Sequence, residues 1–138
     1  MDRIGYQIKR VQQLLRAQMD EQLRGLGLTT PQYAALSELE RAPGLSSAAL
    51  ARRCFVTAQT MNEIAANLLG RGLLVRHAHP EHGRILQLSL TAQGAELVAQ
   101  AHLLVAQIEQ QMVAPLSAEE QEQLLGYLER CGAALEQE

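Results

Sequence analysis

The sequence predicts a mainly α-helical fold carrying one small β-hairpin, and three observations lead there. Apolar residues recur at steps of three and four along most of the 138-residue chain, which gathers them on single helix faces. The period drops to two only at Leu86, Leu88 and Leu90, the spacing of a strand. Hydrophobic residues make up 47% of the chain and aromatics only 3%, so the core is mostly Leu, Ala, Val and Ile, of which Ala and Leu carry little helix penalty. The length suggests one domain.

Each element follows from its own residues. Ile4, Ile8, Val11, Leu15, Met19 and Leu23 form the stripe of a first helix that ends near Arg24, before Gly25-Leu26-Gly27. At 1.5 Å per residue this helix is roughly 30 Å long, and a stripe of that length suits an interface. Thr30 is the expected N-cap of a second helix, with Pro31 at its first position and Tyr33, Leu36 and Leu39 inward; Pro43-Gly44 ends it. Ser46 caps a short third helix with Leu50, Ala51 and Cys54 inward. Phe55-Val56 turns the chain. Thr57 caps a fourth helix with Met61, Ile64 and Leu68 inward and Gly72 as its stop. Leu73–Ala78 and Ile85–Leu90 read as two strands around Pro80 to Gly83. Thr91 caps a fifth helix, whose stripe is Leu97, Ala101, Leu104 or Val105, Ile108 and Met112, and Pro115 breaks it. Ser117 and Glu120 form a capping box for a sixth, with Leu124, Leu128, Cys131 and Leu135 on one face.

Composition limits the function. No apolar run approaches the ~18 residues that span a membrane. The N-terminal MDRIGYQIKR has no apolar signal region, and Cys54 and Cys131 suggest no disulfide framework, so a cytoplasmic protein is expected. The net charge of −3 argues by itself against binding nucleic acid. Its distribution argues the other way. Leu45 to Gly94 holds five arginines and two acids, a local charge of +3 that leaves −6 on the remaining 88 residues. Phosphate neutralisation is local, so a positive lobe on an acidic base is a workable footprint.

Two short helices joined by a tight turn and followed by a hairpin make a winged helix-turn-helix. With Met61, Ile64 and Leu68 inward, the fourth helix turns Ala58, Gln59, Asn62 and Glu63 outward near its start. Gln and Asn can pair bidentately with adenine, Thr can meet a thymine methyl, and Glu can accept from cytosine. A plain solvated helix face is the competing reading.

Here the chain resembles the MarR family of winged-helix transcription regulators. The resemblance spans nearly the whole chain and is most specific from Leu45 to Gly94: LSSAALARRC, then Leu68 to Arg76 as L-x-x-x-G-L-L-x-R, Pro80 to Arg84 as P-x-x-x-R, and Leu88 to Gly94 as L-x-L-T-x-x-G. It implies a homodimeric DNA-binding repressor on a near-palindromic operator, released by a small aromatic or anionic effector. The expected division is 30–94 as the DNA-binding lobe, with 1–28 and 95–138 as dimerisation helices of a single 138-residue unit. It places Arg84 as the wing-tip arginine of the minor groove, where A·T-rich tracts concentrate negative potential, and Arg76 after the recognition helix in a structural or phosphate-directed role. The candidate DNA-contacting set is Ser46, Ser47, Arg52, Arg53, Thr57, Ala58, Gln59, Thr60, Asn62, Glu63, Arg71, Arg76, His82 and Arg84. Arg16 and Tyr33 are the candidate effector contacts, against a core tyrosine and a surface arginine.

The departures from the family pattern lie in the wing and the recognition helix. Family wings read D-P-x-D-x-R, whereas His79 and His82 stand at the two acids, and Glu63 stands where an arginine is common. His77, His79 and His82 are three imidazoles in six residues. They read as a solvated wing, as phosphate partners, or as ligands of a metal-responsive regulator. Cys54 reads as a core residue and Cys131 as part of an interface stripe. No nucleophile–base pair, phosphate loop or acid dyad suggests an enzyme, and no cofactor is implied. A winged helix that docks proteins instead of DNA is the remaining alternative.

Overall fold

The computed structural model describes residues 3–136; the outermost residues of the two flanking segments, 1–2 and 137–138, lie outside it. The order is α1 (Ile4–Arg24), α2 (Thr30–Arg41), β1 (Leu45–Ser46), α3 (Ser47–Arg53), α4 (Ala58–Gly70), β2 (Leu74–Ala78), β3 (Leu86–Leu90), α5 (Ala92–Val113) and α6 (Ala118–Leu135). The described residues thus form six helices and a three-stranded antiparallel sheet of order β1-β3-β2, with α2, α3, α4 and α5 packed on the sheet.

Side-chain oxygens start most of the helices. Ser46, Thr57, Thr91 and Ser117 each accept the amide three residues on, and Ser117 with Glu120 completes the expected capping box. The second helix begins one residue earlier than expected. Thr29 is the N-cap, in a box with Gln32, and Thr30 and Pro31 are its first two helical residues. The reason is pairing: Thr29 and Gln32 satisfy each other's amides, which frees the Thr30 hydroxyl to donate to Asp20 on α1.

Three helices end alike. In each, one amide reaches back five residues and the amide before it reaches back three: Leu28 to Leu23 with Gly27 to Arg24, Val56 to Ala51 with Phe55 to Arg52, and Leu73 to Leu68 with Gly72 to Leu69. The motif needs a left-handed residue. Gly27 (φ 71°) and Gly72 (φ 74°) supply it twice, and Phe55 (φ 57°) supplies it the third time. A side chain in that region costs roughly 1–2 kcal/mol.

The unexpected element is β1. Leu45 and Ser46 pair with Leu88 and Gln87, and the Gly44 amide donates to the Leu88 carbonyl at 3.0 Å. Two residues carry no period, so only their partner reveals them. β2 and β3 pair from Leu74↔Leu90 to Ala78↔Leu86.

One core binds these parts. Leu23, Leu28, Leu36, Leu39, Leu50, Met61, Leu68, Leu73, Leu74, Leu88 and Val98 are buried together, and α1 packs along α5. On α5 the buried stripe is Val98, Ala101, Val105 and Ile108, with Leu97 only half-buried. The outer faces of the flanking helices are bare by contrast. Ile4, Tyr6, Ile8 and Leu14 of α1, Leu103 of α5, and Leu125, Tyr127 and Leu128 of α6 are exposed, and α6 buries nothing. Cys131 lies exposed on α6; Cys54 is half-buried, and burial with the nearby Glu38 charge pushes its thiol up to about 11. No helix among the described residues is long and apolar enough to cross a membrane.

Candidate nucleic-acid interface

The candidate reading surface is the start of α4. Thr57 accepts the Thr60 amide at 3.1 Å, and this cap fixes where the helix begins. Beyond it Ala58, Gln59 and Asn62 are exposed, while Met61, Ala65 and Leu68 fill the core. The Ser47 hydroxyl on α3 donates to Asn62 Oδ1 at 2.9 Å, which orients the amide and leaves its NH2 outward. Ser46 is engaged as the α3 cap, its Oγ 3.1 Å from the Ala49 amide. Arg52 is exposed at the end of α3, Arg76 on β2 opposite Leu88, and His82 and Arg84 on the wing.

Four candidates have other engagements. Arg53 reaches Glu38 of α2 at 3.4 Å. Arg71 donates to the Gly27 carbonyl at 2.9 Å and lies at the far end of α4, about 20 Å from its start. It ties α4 to the α1–α2 turn. Thr60 and Glu63 lie one helical step round from Gln59 and Asn62, on the face that looks towards α1 and α2.

That face borders an open cavity of about 570 Å³, lined by Arg16, Asp20 and Arg24 of α1, Pro31 and Gln32 of α2, and Thr60, Glu63, Ile64 and Asn67 of α4, with Leu28 and Thr29 from the α1–α2 turn. Arg16 pairs with Asp20 at 3.3 Å. The Thr30 hydroxyl bond, opposed by slight burial and helped by the Arg16 charge, holds the Asp20 carboxyl below its ordinary value. Tyr33 does not line this cavity. It looks the other way, to α5, where its hydroxyl meets His102 Nδ1 at 2.8 Å and His102 Nε2 meets Glu40 at 2.9 Å. A carboxylate only accepts, so the Nε2 proton points to Glu40 and Nδ1 accepts from the tyrosine. Burial, with the charges of Glu109 and Glu40, raises the phenol's pKa. Arg16 and Tyr33 are therefore not partners in one pocket. His102 escaped notice because it sits alone beside an apolar stripe, and its partners are 69 and 62 residues away.

The wing histidines divide the same way. His77 Nε2 bonds to Ser89 Oγ at 3.0 Å. His79 Nδ1 accepts two backbone amides, from Glu81 at 3.0 Å and His82 at 3.1 Å. It therefore does with a neutral ring what an aspartate does in an Asx turn. The His79 and His82 rings are 5.0 Å apart. Among the described residues no three His, Cys, Asp or Glu side chains gather where a metal ion could sit, so the metal-responsive reading has no ligand set there. His79→Ala is expected to speed amide exchange at Glu81 and His82 and to lower duplex affinity about threefold to tenfold. His79→Asn, which keeps an acceptor, restores both. Unchanged exchange in the alanine variant contradicts this role.

A sequence profile of the MarR family matches residues 26–85. The HTH-type transcriptional repressor Rv2887 of Mycobacterium tuberculosis is 38% identical over 130 residues, 94% of either chain. Its crystal structure with DNA superposes at a TM-score of 0.80, with 35% identity, over 96% of this chain and 99% of that one. Its complex with salicylic acid gives 0.79, with 37% identity, over 95% and 97%. With a relative 38% identical along 94% of either chain and the family profile on the helix-turn-helix and wing, the chain belongs to the MarR family.

Proposed function

We propose that this protein is a sequence-specific double-stranded DNA-binding repressor that acts in the cytoplasm as a homodimer and is released by a small effector. It binds and does not catalyse. The observation that carries the reading is the pairing of an exposed α4 start, Ala58, Gln59 and Asn62, with an exposed wing arginine, Arg84, on a segment of local charge +3 in an acidic chain. Residues 30–94 are the reading lobe, and 1–28 with 95–138 are the base. The bare apolar faces of α1, α5 and α6 support a second copy as their cover. The two-fold pair then sets two α4 helices about one DNA turn apart, on a near-palindromic operator.

The cavity between α1, α2 and α4 is the effector site. Arg16 and Arg24 offer charge to an anion, Leu28 and Ile64 an apolar wall for a ring, and Thr60 and Glu63 belong to the reading helix itself. A ligand there binds one angle of helix to base better than another, which is all that release requires. The salicylic acid complex of the Mycobacterium relative supports an aromatic anion as the ligand class.

Titration against its own upstream region and against random duplex at rising salt tests the reading. The expected result is a steep fall of log affinity with log salt on both, with the upstream region bound at least a thousandfold more tightly. A flat line on both would favour a protein-docking module and end the proposal.

A further inference from the structure

We infer that Phe55 is a DNA-contacting residue that packs its ring on the deoxyribose edge of the backbone beside the reading helix. The inference rests on the DNA-binding reading above. Phe55 is the only phenylalanine in the chain and is 95% exposed. It also occupies the left-handed position of a helix-ending motif that the chain forms three times, and at the other two it uses glycine. Neither backbone preference nor burial within the chain accounts for a large aromatic there. Something outside must cover it.

Its position indicates what does. Phe55 follows exposed Arg52 by three residues and precedes Ala58 and Gln59, the exposed start of α4, by three and four. The motif also fixes the site, since the amides of Phe55 and Val56 return to Arg52 and Ala51 at 3.3 and 3.1 Å. A duplex seated with its major groove on Gln59 and Asn62 must carry one strand's backbone past this turn. Deoxyribose offers that backbone's apolar surface, and Arg52 stands ready for the adjoining phosphate. The contact carries no base code, so it adds affinity on any sequence.

A single phenylalanine makes the test direct. Fluorophenylalanine incorporated into the whole protein gives one fluorine resonance, that of Phe55. In the free dimer it should report a water-exposed ring, and with duplex it should become shielded from solvent. Phe55→Gly should raise the melting temperature, since glycine suits that backbone. It should also weaken operator and random duplex alike by about tenfold, with the salt slope unchanged because no charge is lost. A ring still exposed in the complex, a ring already covered in the free dimer, or undiminished affinity in the glycine variant overturns the inference. Wild-type titration separates the two possible failures: if the unmodified protein binds no duplex, the DNA-binding reading falls and this assignment falls with it.

Discussion

Arg84→Ala is expected to lower operator affinity by about 10- to 100-fold and to reduce the slope of log affinity against log salt by about one, while the dimer and its melting temperature stay as they were. Arg84 is exposed on the wing and enters no ion pair among the described residues, so its removal leaves no orphaned partner. Surface changes of this sort move stability by about 0.5 kcal/mol or less. The turn that presents it is ordered from both ends, by the Ile85 amide on the His82 carbonyl and the His79 amide on the Ile85 carbonyl, each at 2.8 Å. Arg84→Lys should recover part of the salt slope and little of the specificity, because a point charge lacks the planar fork. Electrophoretic or anisotropy titrations at several salt concentrations measure all three quantities. An alanine variant that binds as well as the parent removes the wing from the interface.

Gly94→Ala carries the largest expected loss of stability, about 3 kcal/mol, or roughly 10 °C of melting temperature at matched protein concentration. Gly94 is buried at the third position of α5 and donates its amide to the Thr91 hydroxyl at 3.0 Å. A Cβ there would run into the Leu73 carbonyl oxygen. That oxygen cannot step aside, because it already accepts the Thr91 amide at 3.1 Å. The same threonine hydroxyl donates to the Gly72 carbonyl at 2.7 Å. A single methyl therefore strikes the joint where the end of the reading helix, the sheet and α5 meet. Thermal unfolding by circular dichroism checks it; an alanine variant that melts with the parent shows that the joint yields.

The helices were legible in the sequence because their ends are written locally. Ser46, Thr57, Thr91 and Ser117 cap the helices at which they were placed, each by a bond three residues long. The one misplaced cap, Thr30 for Thr29, is a choice between adjacent threonines that Gln32 settles by closing a box with Thr29. What stayed hidden was long-range in every case. β1 needs Leu88, Arg71 needs Gly27, and Tyr33 needs His102. Residue type alone could not separate Gln59 and Asn62 from Thr60 and Glu63. All four are polar and close in sequence, but 100° of rotation sends the second pair to the cavity. His79 stands at a family acid position in the sequence, but residue type left it open between a solvated, a phosphate-directed and a metal-ligating role; the wing's fold turns its Nδ1 onto two amides.

The two residues of β1 have a mechanical consequence. Ser46 is at once a rung of the ladder to β3 and the cap that starts α3, and Ser47 beside it holds Asn62. Ribbon and reading helix are thereby riveted into one piece, which neither half can leave alone. On the proposed reading an effector would move ribbon and reading helix together, and the spacing of the two heads would be what it changes.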